Sequence, residues 1–256
     1  MSQHIYGMHP VLEALRSMPG EVEVVFVASE RADRAERGRP DEVGALCRAQ
    51  KVRVEAISRR ELSRLAEGGV HQGVAARLRA PSYADFDELT RAAAAMGQAG
   101  LLLMLDGIED PHNFGALCRS ASALGAQGVL IGRDRAVGIT PAAIKSSAGA
   151  LPHLKVARVT NLSRALEALR EAGFWSAAAD MSGDRPPEGV DFSSPTLLVV
   201  GSEGRGIRRM LLDKCDFRVR IPMTGPISSL NASVAGAILL AEVARQRRQP
   251  KAQERK

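Results

Sequence analysis

The chain has 256 residues, is 45% hydrophobic, and carries a formal net charge of +6 with a pI near 9.6. That length accommodates one large or two modest domains, and the basic balance favours a polyanionic partner. No run of 18 apolar residues exists, MSQHIYGMHP lacks the layout of a secretory signal, and Cys47, Cys118 and Cys215 are too far apart for zinc-type spacing or a disulfide framework; a cytoplasmic protein with no membrane partner and no metal is expected.

In chain order, the first 80 residues read as a small α/β domain. EVEVVFVA (21–28) is rich in strand formers, Asp41 to Gln50 is helical, and VRVEAI (52–57) alternates at the strand period. Ser58 and Glu61 form a capping-box pattern at the head of SRRELSRLAEG, and Gly68 and Gly69 supply a stop. GVAARLRA (73–80) reads as another strand, ended by Pro81, and residues 81–100 read as an Ala-rich helical linker.

From Leu101 the composition changes to apolar strands between helical patterns: LLLMLD (101–106), GVLIG (128–132), KVARV (155–159), FWSAAA (174–179), TLLVVG (196–201) and FRVRI (217–221). Uninterrupted apolar strands alternating with helices imply an α/β fold with a mostly parallel sheet covered on both faces. Ligands of such sheets sit beyond the carboxyl ends of the strands, where Asp106 to Asn113 and Gly201 to Gly206 each follow a strand and precede a helix. The basic residues Arg245, Arg247, Arg248, Lys251, Arg255 and Lys256 read as a solvated, frayed terminus.

Two segments carry unusual chemistry. GSEGRG (201–206) is spaced GxxGxG, the reverse of the dinucleotide fingerprint, and no P-loop pattern exists. Gly201, directly after LLVV, marks a backbone that approaches something closely or takes a positive φ. Asn113 is placed to cap the helix NFGALCRSASALG, whose apolar stripe is Phe114, Leu117, Ala121 and Leu124. Arg119 lies off that stripe and by itself reads as a solvated helix arginine. Ser229 reads as the N-cap of a final helix from Leu230 to about Arg245 that is apolar nearly all round and hence buried. Asn231, at its second position, is unexplained by propensity and reads as a local backbone hydrogen-bonder.

DPHNFGALCRSASALGA, LLVVGSEGRGI and IPMTGPISSLNASVAGAILLAEV together resemble the three signature motifs of the SpoU/TrmH family of RNA 2′-O-methyltransferases, in order and at similar separations. IYGMHPVLEAL and VHQGVAARL are similar to the substrate-binding domain of the RlmB-type branch, which methylates a guanosine ribose in large-subunit (23S) ribosomal RNA. The resemblance implies a SPOUT-type methyltransferase domain at 100–249 with a deep trefoil knot, an exception to the unknotted rule. It is preceded by an RNA-binding domain at 1–80 and a linker at 81–99, and followed by a basic tail at 250–256. It implies S-adenosylmethionine as methyl donor, cradled by the backbone around Gly201, Ile221 and Leu230, and a catalytic set of Asn113, Arg119, Glu203, Ser229 and Asn231 completed across a homodimer. Phe114 and Pro226 depart from the family pattern near the pocket. Alternatives are a tRNA or antibiotic-resistance rRNA methyltransferase of the same fold, or a non-catalytic RNA-binding assembly factor.

The implied chemistry is modest, because a sulfonium is already an activated methyl donor and the protein has to align a ribose hydroxyl and help it lose a proton. Lowering an arginine pKa from about 12.5 to about 7 costs roughly 7 kcal/mol. Arg119 is therefore expected to act as a charged clamp on phosphate and developing alkoxide rather than as a base.

Overall fold

The computed structural model describes residues 3–29, 41–79, 82–227 and 229–248; Lys251, Arg255, Lys256 and the rest of the expected basic tail lie outside them. Chain contacts divide the protein into two compact units, Met1–Ser82 and Tyr83–Lys256.

The first unit orders β1 (Gln3–Tyr6), α1 (Met8–Ser17), β2 (Val22–Ala28), α2 (Glu42–Gln50), β3 (Arg53–Ile57), α3 (Arg59–Leu65) and β4 (Val74–Leu78). The sheet order is β1-β4-β2-β3, with β4 antiparallel to both neighbours and β3 parallel to β2. Val24, Phe26, Ala28, Leu62 and Ala75 form a core cluster. Asp41 caps α2 through the Gly44 N–H, and the Ser58–Glu61 capping box is formed as expected at α3. In the VHQGVAARL segment, Gln72 Oε1 accepts the Met8 N–H at 2.8 Å at the start of α1 and Gly73 adopts φ +79°. Part of that motif therefore shapes a turn.

The second unit is a six-stranded, wholly parallel sheet in the order β10-β8-β9-β5-β6-β7. Its strands are β5 (Leu101–Asp106), β6 (Gly128–Gly132), β7 (Lys155–Val159), β8 (Trp175–Ala179), β9 (Thr196–Gly201) and β10 (Phe217–Val219), the last shorter than the sequence pattern suggests. Its helices are α4 (Phe86–Ala94), α5 (Pro111–Ala123), α6 (Pro141–Ser146), α7 (Leu162–Glu171), α8 (Arg209–Leu212) and α9 (Ala232–Arg248). Every residue of β5 and β9 is buried, as central parallel strands require. Leu102, Met104, Leu130, Leu197 and Val199 pack with Leu89 of α4 and Leu166 and Leu169 of α7. Residues 86–94, read from sequence as part of a linker, thus put Leu89 and Ala93 into this core. The opposite face meets α9, where a Cβ on Gly236 would lie 2.4 Å from Leu117 and 3.4 Å from Val200.

Three sequence expectations are corrected. α5 begins at Pro111 and is capped by Asp110, whose carboxylate accepts the His112 and Asn113 N–H groups; Asn113 lies inside the helix. α9 begins at Ala232, with Asn231 rather than Ser229 in the capping position, and it is not buried all round: Val234 and Ile238 are exposed. The C-terminal arginines are not simply solvated. Arg245 pairs with Glu242 at 2.7 Å. Arg247 donates to the Phe192, Ala99, Gly100 and Ser194 carbonyls and to Thr196 Oγ1 at 2.9–3.3 Å.

Burial holds the Arg247 pKa below the usual arginine value, and its acceptors lie at the amino ends of β5 and β9. Burial also raises the unpaired thiols, Cys47 to about 11 and Cys215 to about 12, keeping them protonated at neutral pH. Replacing Arg247 by Met strips those carbonyls of a charged donor and is expected to cost about 1.5–3 kcal/mol in urea unfolding. Arg248→Ala, on an exposed side chain, is expected to change stability by less than about 0.5 kcal/mol.

Candidate active site

The site is built where the two central strands end. Asp106 and Gly201 are register partners, so the loops after β5 and β9 leave the sheet side by side at its carboxyl edge. Asp106 is 2% exposed and accepts the Arg208 backbone N–H and the Arg208 Nε, both at 2.8 Å. This ion pair anchors the far end of the 201–207 loop to the end of β5, and sequence reasoning missed it. The available signal was an acidic residue closing an otherwise apolar strand.

The 201–207 loop folds back on its own strand. Ser202 and Gly206 exchange backbone hydrogen bonds at 2.8 and 3.2 Å, and Gly206 takes φ +64°. At Gly201 the reason for glycine is close approach rather than a positive φ: a Cβ there would lie 2.1 Å from the Gly206 carbonyl carbon and 2.3 Å from the Ile207 nitrogen. Gly115 of α5 is needed similarly, since a Cβ would lie 2.5 Å from the Ala143 carbonyl of α6.

Asn231 joins three segments. Its Oδ1 accepts the Ser233 N–H and Oγ–H at 2.9 and 2.6 Å, capping α9. Its Nδ2 donates to Asn113 Oδ1 at 2.9 Å and to Glu203 Oε2 at 3.1 Å. Among the described residues the Glu203 carboxylate is thus held by a side-chain amide, not by the backbone or an arginine. The half-buried Asn231 orients α5, the glycine loop and α9 at once.

Two cavities share this loop as a wall. One, of about 420 Å³, is lined by Gly201, Glu203, Ile221, Ser229 and Leu230, with Ile207, Val219 and Met223 adding apolar surface. The other, a cleft of about 540 Å³, holds Asn113 and Glu203. Its lining carries Arg135, Arg205 and Arg208 against Asp106, Glu109, Asp110, Asp134 and Glu203, so carboxylates outnumber cations.

The structure therefore brings Asn113, Glu203 and Asn231 into contact and gathers Gly201, Ile221, Ser229 and Leu230 around one cavity. Arg119 is set apart: it is exposed on α5 and forms no hydrogen bond or ion pair among the described residues. Phe114 is fully buried in the core and Pro226 is exposed, and neither lines the two cavities. Among the described residues no group of three His, Cys, Asp or Glu side chains is arranged to hold a metal ion, and no helix is long and apolar enough to cross a membrane.

Gly201→Ala is expected to lose about 1–3 kcal/mol or more in urea unfolding, because the clash is with backbone that has no alternative position. Gly204→Ala, which faces open space, is expected to stay within about 0.5 kcal/mol of the parent.

Comparison with known proteins agrees with this geometry. The profile of the SpoU rRNA Methylase family matches residues 100–241, and that for RNA 2′-O ribose methyltransferase substrate binding matches residues 4–84. The chain is 40% identical over 247 residues to the TrmH family protein YacO of Bacillus subtilis (strain 168), covering 96% of this chain and 97% of that one. Its structure is similar to the SpoU methyltransferase AviRb from Streptomyces viridochromogenes, solved in complex with the cofactor AdoMet, with a TM-score of 0.72 and 28% identity over 96% of this chain and 90% of that one. The A. aeolicus TrmH/SpoU tRNA modifying enzyme matches with a TM-score of 0.54 and 28% identity, over 63% of this chain and 83% of its own. Profiles spanning both units, and a relative this similar over nearly its whole length, show that the chain belongs to the SpoU/TrmH family of RNA methyltransferases.

Proposed function

We propose that the protein transfers a methyl group from S-adenosylmethionine to a ribose 2′-hydroxyl of RNA, with a guanosine of 23S ribosomal RNA as target and two copies of the chain forming the working enzyme. The observation that carries this reading is the cavity between residues 201–207 and 219–230, whose lining includes Glu203, the residue that Asn231 ties to Asn113. Its volume of about 420 Å³ lies in the range of about 300–1,000 Å³ usual for small-ligand sites. Close-packed backbone with apolar side chains suits an adenosine and a methionine chain, and AdoMet occupies the related AviRb. A trefoil knot is proposed where residues 219–231 pass this loop.

Bound there, the cofactor supplies a methyl group already activated on a sulfonium. The chain's own residues do the rest. The backbone at Gly201, Ile221 and Leu230 holds the donor, Asn231 fixes the glycine loop against α5, and Ser229 at the cavity rim supports the ribose. Arg119, exposed and without a described partner, is supplied to the site of a second copy. There it clamps phosphate and stabilises the developing alkoxide, and the proton leaves to phosphate or water. Ribosomal RNA is favoured over tRNA because the profile that matches residues 100–241 is that of the SpoU rRNA Methylase family, and because VHQGVAARL in the N-terminal unit resembles the 23S-methylating branch.

Labelled methyl transfer to purified 23S rRNA and to bulk tRNA, mapped by 2′-O-methyl-sensitive primer extension, tests the reading. One modified guanosine in rRNA supports it, transfer to tRNA alone overturns the substrate, and no cofactor binding overturns the chemistry. Arg119→Ala is expected to lower kcat at least about 100-fold without changing cofactor affinity. Mixing Arg119→Ala with Asn113→Ala subunits is expected to restore about a quarter of wild-type activity, since half the dimers are mixed and each has one intact site. A site completed within one chain would restore none.

A further inference from the structure

We infer that the cavity beyond the carboxyl ends of β6 and β7 is a second phosphate-binding site, holding the RNA strand as it continues past the target nucleotide. The inference rests on the RNA-methyltransferase reading above. It begins from a deficit: the cleft beside Asn113 carries more carboxylates than arginines, and Arg208 there is already paired with Asp106. Polyanion affinity comes largely from cations set against phosphates, so within this unit the grip on RNA has to come from outside that cleft.

The neighbouring cavity supplies it. It encloses about 1040 Å³, at the top of the range for small-ligand sites and suited to a stretch of polymer. Arg133, Arg158 and Arg164 line it. The two spaces adjoin: Gly132 and Leu162 line the cleft, while their chain neighbours Arg133 and Asn161 line the cavity. The Arg133 N–H donates to the Val159 carbonyl at 2.9 Å, tying together the ends of β6 and β7 that line the cavity.

The three guanidiniums are prepared for an anion. Arg158 is held over the Tyr83 ring at 5.0 Å and donates to the Arg133 carbonyl at 2.9 Å; Tyr83 is itself fixed by accepting the Ile139 N–H at 3.1 Å. Arg133 and Arg164 are exposed and form no ion pair among the described residues. Glu167, one turn beyond Arg164, is occupied by Lys214. Two carboxylates also line the cavity, Asp85, which caps α4 through the Asp87 and Glu88 N–H groups at 3.0 Å, and Asp87, so the arginines exceed the carboxylates here whereas carboxylates exceed arginines in the cleft. Of the two aromatic residues in the lining, Tyr83 is covered by Arg158 and Phe86 packs against the core, so the cavity offers mainly charge, which suits the backbone of RNA over its bases.

The test compares wild type with Arg133→Gln/Arg164→Gln on a 23S rRNA fragment, reading Kd by fluorescence anisotropy over a salt series alongside KM and kcat. The expected result is a Kd and KM raised about 5- to 30-fold, kcat and S-adenosylmethionine affinity within about twofold, and a slope of log Kd against log salt reduced by about 1–2. Arg133→Lys/Arg164→Lys is expected to recover most of the affinity, since a point charge satisfies phosphate. Both side chains are exposed, so the melting temperature is expected to hold; if it falls, Arg164→Gln alone, on the exposed face of α7, reads a slope reduction of about 1. An unchanged Kd and slope overturn the inference and leave the enzyme reading intact. RNA binding without methyl transfer by the wild type overturns the enzyme reading, while Kd and slope still decide this site. Absence of RNA binding by the wild type overturns both.

Discussion

The Asn231 carboxamide is the point at which the candidate site is tied together. A side-chain amide has one acceptor oxygen and two donor hydrogens. Here the oxygen caps α9, and the donors reach Asn113 on α5 and Glu203 on the glycine loop. No other residue type supplies an N-cap acceptor and two donated bonds from the same short side chain. Serine and threonine cap but donate once, and aspartate caps but does not donate when ionised. The walls of both cavities therefore depend on one group whose three partners come from segments far apart in the chain.

That group works only because the sheet beneath it is held at both ends. At the carboxyl edge, Asp106 is buried and receives the Arg208 backbone and side chain, fixing where the glycine loop rejoins the fold. At the amino edge, Arg247 gathers carbonyls from the starts of β5 and β9 and secures the far end of α9. α9 is thus anchored at its first residues by Asn231 and at its last turn by Arg247. Its close contact with α5, forced by Gly236 against Leu117, leaves it little freedom to slide. Rigid placement of this kind is what a methyl transfer governed by alignment requires.

Much of this was legible in the sequence. The six apolar strands of the second unit, the capping box at Ser58 and the stop at Gly68 follow from local periodicity and cap chemistry, which a chain segment carries by itself. The cap of α9 did not follow, because Ser229, Asn231 and Ser233 are all competent cap residues within five positions. What selects Asn231 is its pair of partners 118 and 28 residues away. The cap of α5 differs in kind: Asp110 followed by Pro111 is a local signal, stronger than Asn113, which is a polar residue at the head of the apolar stripe and lies inside the helix. Arg247 was read as solvated because its acceptors are backbone carbonyls, which leave no trace in a sequence. Gly201 was expected to make a close approach or take a positive φ, and the structure shows the former.

The most direct measurement is calorimetric titration of S-adenosylmethionine into the wild type and into Asn231→Asp, which keeps the α9 cap and removes both donated bonds. If the Asn231 bridge holds the cofactor cavity in shape, the wild type binds one equivalent per chain. The variant, which also sets a second carboxylate against Glu203, then binds at least about tenfold more weakly, about 1.4 kcal/mol, while the retained cap keeps it folded at the assay temperature. Equal affinities would contradict the role given to Asn231, and absence of binding by the wild type would contradict the cavity's assignment.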